Sequence, residues 1–350
     1  MKAAIYRGRG SVDLVELPVP EPDERDVVIQ NLHAGVCGSD VSAYLHGPQA
    51  HRITPGSEFG HEVVSRVAAI GSAVTEFTVG QRVYPYPLLA RGDTGRAGTL
   101  GGFSEYILVP DAKPGVQLHP VPDEIEDRAA ALIEPFTVAF HAARQADPRD
   151  GETALVWGAG IIGIGVALGL RRLGIRRVLV ADMSDFRLSK AAGLGFDTVN
   201  PSDRDVTEAC RELFGDAPSL HGTTGATDIY VDAAGADALI GTFQRIGRIG
   251  ARLVVVAVHA APVEVDLASL AYASQRITGS GGYTPDDVAA VMDFLSHTDV
   301  DVTSIITHEF PLDRLTTALE TAADRDHALG VAIVHEAAGR LPQAEETQGS

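Results

Sequence analysis

The chain has 350 residues, 45% hydrophobic and 21% charged, which is ordinary globular composition, and its length exceeds one core, so about two domains are expected. A formal net charge of −19 argues against a nucleic-acid partner, whose phosphates it would repel. Cys37 and Cys210 are the only cysteines, too few for a disulfide framework, and the chain reads as cytoplasmic.

The opening "MKAAIYRGRGSVDLVELPVP" has no apolar stretch of the kind a signal peptide needs. From there to about residue 110 the chain reads as short strands, "KAAIY", "VDLVEL", "DVVIQNLHAGV", "HEVVSRVAAIG" and "FSEYILVP", bounded by Pro, Gly and Asp. This pattern predicts an antiparallel β domain. "EIEDRAAALIEPFTVAFHAARQA" then carries apolar residues at helical spacing and predicts one helix. After "DPRDGE" the strands "TALVW", "RRVLVAD", "DTVN", "TDIYVDAAG" and "ARLVVVAV" alternate with helical stretches, which predicts a doubly wound parallel sheet covered on both faces. The alternation fades after "ITGSGGY", and "PDDVAAVMDFLSH" predicts a further helix. The expected division is residues 1–147, then 148–282, then a return to the first domain together with an interdomain helix over 283–336, with 337–350 a polar, disordered tail. The longest apolar run, Leu155 to Leu170, is too short for a bilayer span and holds five glycines, so no membrane partner is expected.

Those glycines have a pattern. "LVWGAGIIGIG" places Gly158, Gly160 and Gly163 after a strand and at the start of a helix, with Asp182 closing the next strand. The first glycine permits a tight turn, the second lets a diphosphate approach the backbone, and the third lets helix and strand pack closely. The diphosphate would lie over the helix start at Ile161 and Ile162. The Asp182 carboxylate suits both ribose hydroxyls of NAD and repels the 2′-phosphate of NADP. Arg187 lies close enough in sequence to stack on adenine or to bind that phosphate.

The stretch "CGSDVSAYLHGPQAHRITPGSEFGHE" gathers Cys37, His46, His51, His61 and Glu62. Catalytic zinc takes three donors from Cys, His and Asp/Glu and keeps one position open. On these residues alone the stretch is either a metal site or a polar loop, since a lone cysteine also serves as a small buried hydrophobe.

Together, "GVCGSD", "GHEVVSRVAAIGSAVTEFTVGQRV", "GGFSEYILVP", "LIEPFTVAFHAA", "GAGIIG" and "GSGGYT" resemble the zinc-dependent medium-chain alcohol/polyol dehydrogenases, in the family's order and over nearly the whole chain. "LIEP" and "DMSDFRLSKAAGLGFD" are most like the sorbitol dehydrogenase branch. The resemblance implies a GroES-like catalytic domain and a Rossmann cofactor domain. It implies zinc held by Cys37, His61 and an acid, either Glu134 or Glu62, with Asp40 accepting from the His61 ring and Ser39 supplying a hydroxyl beside the reacting oxygen. The implied reaction is NAD-dependent oxidation of a secondary alcohol of a polyol, cyclitol or diol, with zinc as Lewis acid, in a homodimer or homotetramer.

The chain departs from the family in three places. "YPYPLLARGDTGRAGTLGGFSEY" has none of the four cysteines of the structural-zinc lobe, so one zinc per chain is expected. Ser42 replaces the relay histidine, and Ser65 stands where the family has glycine after "GHE". His46 and His51 read as solvated and Cys210 as structural. The alternatives are a zinc-free enoyl or quinone reductase of the same superfamily, which would lack Cys37, His61 and Glu134, and a non-catalytic nucleotide-binding protein.

Overall fold

The computed structural model describes residues 1–48, 53–87, 89–90 and 100–336. His51, residues 91–99 of the cysteine-free stretch and the tail 337–350 lie outside the described residues. The chain divides into two compact units. One comprises Met1–Glu134, Ile306–Ala323 and the chain from Val331; the other comprises Pro135–Ile305 and Asp324–Gly330.

The first unit opens with an antiparallel hairpin of β1 (Lys2–Gly8) and β2 (Ser11–Glu16). β3 (Val27–Gly35), α1 (Gly38–His46), β4 (Glu62–Ile70), β5 (Arg82–Pro85), β6 (Tyr106–Val109), β7 (Leu118–Pro120) and α2 (Asp127–Ala130) follow. Val27, Ile29, Val63, Val64 and Val67 are fully buried, so β3 and β4 form the core of this sheet. They pair antiparallel, with Gly35 opposite Glu62.

The chain enters the second unit within the first turn of α3 (Ile133–Gln145). One continuous helix is expected over this region, but the structure breaks it into α2 and α3. Pro135 supplies the reason: it lacks an N–H and is tolerated only in a helix's first turn, so a fresh helix starts just before it.

The second unit then runs β8 (Thr153–Trp157), α4 (Ile161–Arg172), β9 (Arg177–Ala181), α5 (Asp185–Gly193), β10 (Asp197–Val199) and α6 (Val206–Phe214). A hairpin of β11 (Asp216–Ser219) and β12 (Gly222–Gly225) follows, then β13 (Ile229–Asp232), α7 (Ala238–Ile246), β14 (Arg252–Val255), α8 (Leu267–Tyr272), β15 (Arg276–Gly279) and α9 (Pro285–His297). Six strands form a parallel sheet in the order β10-β9-β8-β13-β14-β15. The order reverses between β8 and β13, which in open α/β sheets is the ligand-binding crevice. Leu155, Trp157, Leu179, Tyr230 and Leu253 of its strands pack with Phe243 of α7, and Cys210 is buried in the same core.

The return to the first unit is expected at residue 283, but the second unit continues to Ile305. The buried Asp287 of α9 explains this, because it accepts from His141 and Arg144 of α3. β16 (Ile306–Pro311), α10 (Leu315–Ala323) and β17 (Gly330–Val334) then complete the first sheet, ordered β16-β17-β3-β4-β5-β7 with β6 also on β3. No helix among the described residues is long and apolar enough to cross a membrane.

Candidate functional site

In the first unit, β3 delivers the chain to Cys37, the N-cap of α1. The N-cap is closed from both sides. The Cys37 sulfur accepts the N–H of Asp40, and the Asp40 carboxylate accepts the N–H of Cys37 through Oδ2 at 3.1 Å. Ser39 sits beside the thiol and favours its ionised form. Nearby, β4 begins at Glu62, directly after His61. Donor atoms of Cys37, His61 and Glu62 lie within 4.8 Å of one another, a grouping among the described residues that could hold a metal ion.

Glu62 reaches this position because its partner across the strands is Gly35. A Cβ on Gly35 would collide with the Glu62 carboxylate. Sequence alone gives no hint of this role, since it requires knowing the strand register. Glu134 is buried in the first turn of α3 and its charge acts on Cys37, His61 and Glu62, but it stands outside the three-donor group.

Four titratable groups of the cluster depart from their ordinary values. Burial, then the charges of Asp40 and Glu134, push the Cys37 thiol up to about 11, opposed by Ser39. Burial, then Cys37 and Glu134, raise Glu62 well above the ordinary carboxylate range. Burial raises Asp40 to about 6, opposed by His61 and by the Cys37 N–H. For His61, burial favours the neutral ring, but the charges of Asp40, Glu134 and Glu62 outweigh it and raise the imidazole. A divalent ion would reverse this balance, deprotonating the thiol and satisfying the carboxylates. The donor set of one sulfur, one imidazole and one carboxylate fits zinc.

Asp40 does not play its expected part. Its Oδ1 and the His61 Nδ1 are both buried without a hydrogen-bond partner, and its other oxygen caps α1 instead of holding the imidazole. Ser39 and Ser42 are half-buried, and His46 is exposed.

The second unit holds the glycine turn. Gly158 has φ +101°, and a Cβ there would lie 3.0 Å from the Ala233 carbonyl. A Cβ on Gly163 would run into the Gly158 carbonyl oxygen, while Gly160 faces open space with the Arg187 Nη1 3.9 Å from its would-be Cβ. The three positions are thus a tight turn, an open approach and a close packing contact. Ile161 and Ile162 open α4, with Gly160 as N-cap. Asp182 follows β9, accepting from Ala159 N at 2.7 Å and Ser184 N at 2.8 Å, which fixes its carboxylate beside the turn. Arg187 donates Nε and Nη2 to the Ala328 carbonyl at 3.2 and 3.1 Å.

Sequence reading missed Asp232, which is fully buried at the end of β13. Its Oδ1 accepts from Ala234 and Gly235 at 3.0 and 2.8 Å, and its Oδ2 lies 2.8 Å from His259 Nε2. An acid ending the strand next to the glycine turn was the available signal.

Comparisons with known proteins match stretches of both units. Residues 23–123 match the alcohol dehydrogenase GroES-like domain, and residues 162–297 match the zinc-binding dehydrogenase domain. The chain is 36% identical over 233 residues to an L-threonine 3-dehydrogenase of Stenotrophomonas maltophilia, covering 61% of this chain and 67% of that one. It is 28% identical over 345 residues to an (R,R)-butanediol dehydrogenase of Neisseria gonorrhoeae, covering 90% and 93%. Among solved structures, an Escherichia coli CFT073 alcohol dehydrogenase complexed with NADH superposes with a TM-score of 0.81 at 27% identity, covering 95% of this chain and 99% of that one. With its three-donor cluster and its glycine turn, the chain belongs to the zinc-dependent medium-chain alcohol dehydrogenase family and is an oxidoreductase acting on CH–OH groups with a nicotinamide cofactor.

Proposed function

We propose that this protein is an NAD-dependent, single-zinc dehydrogenase that oxidises a secondary alcohol of a polyol, cyclitol or diol to a ketone. The observation that carries this reading is the convergence of Cys37, His61 and Glu62 within 4.8 Å. These three would hold the ion, with Glu134 as the neighbouring charge that exchanges with Glu62. Zinc supplies Lewis acidity that lowers the pKa of the substrate hydroxyl. Ser39 offers the hydroxyl through which the proton leaves, since Ser42 has no basic group to relay it. Threonine and butanediol, named in the relatives, both carry secondary alcohols, which supports the substrate class. The two unpaired cysteines suit a reducing cytoplasm.

Asp182 supports NAD over NADP. Its carboxylate retains free lone pairs for ribose hydroxyls, and Arg187 is tied to Ala328. Repulsion between that carboxylate and a 2′-phosphate is about 4 kcal/mol at 4 Å and an effective dielectric near 20. Half of this gives about thirtyfold discrimination. Asp182→Ala is expected to narrow the gap mainly by raising kcat/KM for NADP.

The deciding experiment incubates purified protein with NAD and a panel of polyols, diols and cyclitols, following NADH absorbance, with metal analysis alongside. The reading expects alcohol-dependent NADH formation and one zinc per chain. Full activity without metal, or equal efficiency with NAD and NADP, would overturn it.

A further inference from the structure

Asn31 is a polar residue inside the apolar run of β3, and it is 1% exposed. Opposite it on β4 stands Ser65, fully buried, in the position where glycine was expected. The Ser65 hydroxyl donates to the Asn31 Oδ1 at 2.8 Å. That bond orients the amide, because only one end of it accepts. Its Nδ2 then faces three carbonyls on one turn: Ser104 at 2.7 Å, Gly101 at 3.1 Å and Gly102 at 3.4 Å. Leaving a buried amide unpaired is costly, so the pair is mutually enforcing.

The turn they hold rests on the backbone that carries His61. Gly102 N donates to the Gly60 carbonyl at 2.9 Å, and Phe103 N to the Phe59 carbonyl at 3.0 Å. The contact is close: a Cβ on Gly102 would lie 3.1 Å from the Gly60 carbonyl carbon, and one on Gly60 would meet the Phe103 ring at 2.9 Å. His335, buried and held neutral by that burial, adds a bond from Nε2 to the Gly102 carbonyl at 2.9 Å. The result is a closed circuit. From His61 and Glu62 the chain runs up β4 to Ser65, crosses to Asn31, passes to the 101–104 turn, and returns through Gly60 to His61.

We propose that Asn31, oriented by Ser65, is a positioning residue that fixes the His61–Glu62 segment of the metal site through the 101–104 turn. Neither side chain is among the three donors. The inference rests on the reading of Cys37, His61 and Glu62 as that site.

The test uses the full-length protein with cobalt(II) in place of zinc, read by its thiolate–cobalt absorption and by the rate of metal loss to a chelator. Asn31→Asp keeps the shape but removes the N–H donors, and Ser65→Ala removes the hydroxyl. Both are expected to shift the cobalt bands and speed metal loss by about 10- to 100-fold, the size usual for groups that orient metal ligands. Ser65→Thr, which keeps the hydroxyl, is expected to restore both readouts. NADH affinity should not move, because the glycine turn lies in the other unit. Ser65→Ala is the milder change and decides the matter if Asn31→Asp does not fold. Wild-type cobalt bands and metal-loss rate in the variants, with only thermal stability lowered, would reduce the pair to a structural bond and overturn the inference. A wild-type protein with no thiolate–cobalt absorption would remove the metal-site reading and this inference with it.

Discussion

The single hydrogen at Gly35 decides where Glu62 can lie. Adding one methyl there would press on the Glu62 carboxylate of the donor group and displace it. Gly35→Ala is therefore expected to weaken zinc binding about tenfold, in the range found for groups that orient ligands. Competition with a chromogenic chelator measures this, and unchanged zinc affinity would show that Glu62 is not a donor. His335 gives a second prediction at this scale. Burial depresses its imidazole from 6.5 to about 4, against the opposing bond to Gly102. Between those values the unfolded chain binds a proton that the folded chain refuses. The cost is absent above about pH 6.5 and grows as the pH falls toward 4, reaching roughly 3 kcal/mol. Urea unfolding at neutral and acid pH should show this loss in the wild type and a smaller one in His335→Gln, which keeps a neutral donor.

Among the elements, α3 and α4 meet through glycines of α4. Gly165 and Gly169, one turn apart on α4, face Ala139 with Phe136 and Ala143 with Phe140 on α3. A Cβ on Gly165 would come within 2.7 Å of the Ala139 Cβ. Gly165→Val should overpack this contact by about 1–3 kcal/mol. A lowered midpoint in thermal unfolding, with zinc content unchanged, is the expected result. The five-glycine run thus has two jobs, and only its first three glycines showed theirs in the sequence. The phosphate turn was legible because its residues are neighbours in the chain and obey a local rule. The strands β3, β4, β8, β9, β13 and β14 were legible as Val/Ile runs. β15 was not, since its four residues are mostly exposed, nor was the β11–β12 hairpin, which has no apolar alternation. In the donor cluster, Cys37, His61, Glu62 and Glu134 could be named as candidates from their types and from the family resemblance. The grouping of Cys37, His61 and Glu62 within 4.8 Å, and the contacts of Gly35 and Asn31, depend on strand register and on contacts between distant segments.

At the scale of the molecule, the donor cluster and the glycine turn belong to different units. Cys37→Ala is accordingly expected to abolish zinc uptake while leaving NADH affinity intact, as equilibrium fluorescence titration can check. The parallel sheet ends at β15, next to α8, where Tyr272 is 80% exposed and Leu267 71% exposed. The division of the chain also sets an order of birth. β17 pairs with Ala34 and Gly35 of β3, yet it emerges from the ribosome about 300 residues later. At the 5–20 residues per second of synthesis, β3 waits roughly 15–60 s for this neighbour. By then every residue of the parallel sheet has been made, since β15 ends at Gly279. The cofactor unit can therefore fold while the first sheet still lacks a strand, and the nascent chain is most exposed to misfolding along β3, the strand that leads to Cys37.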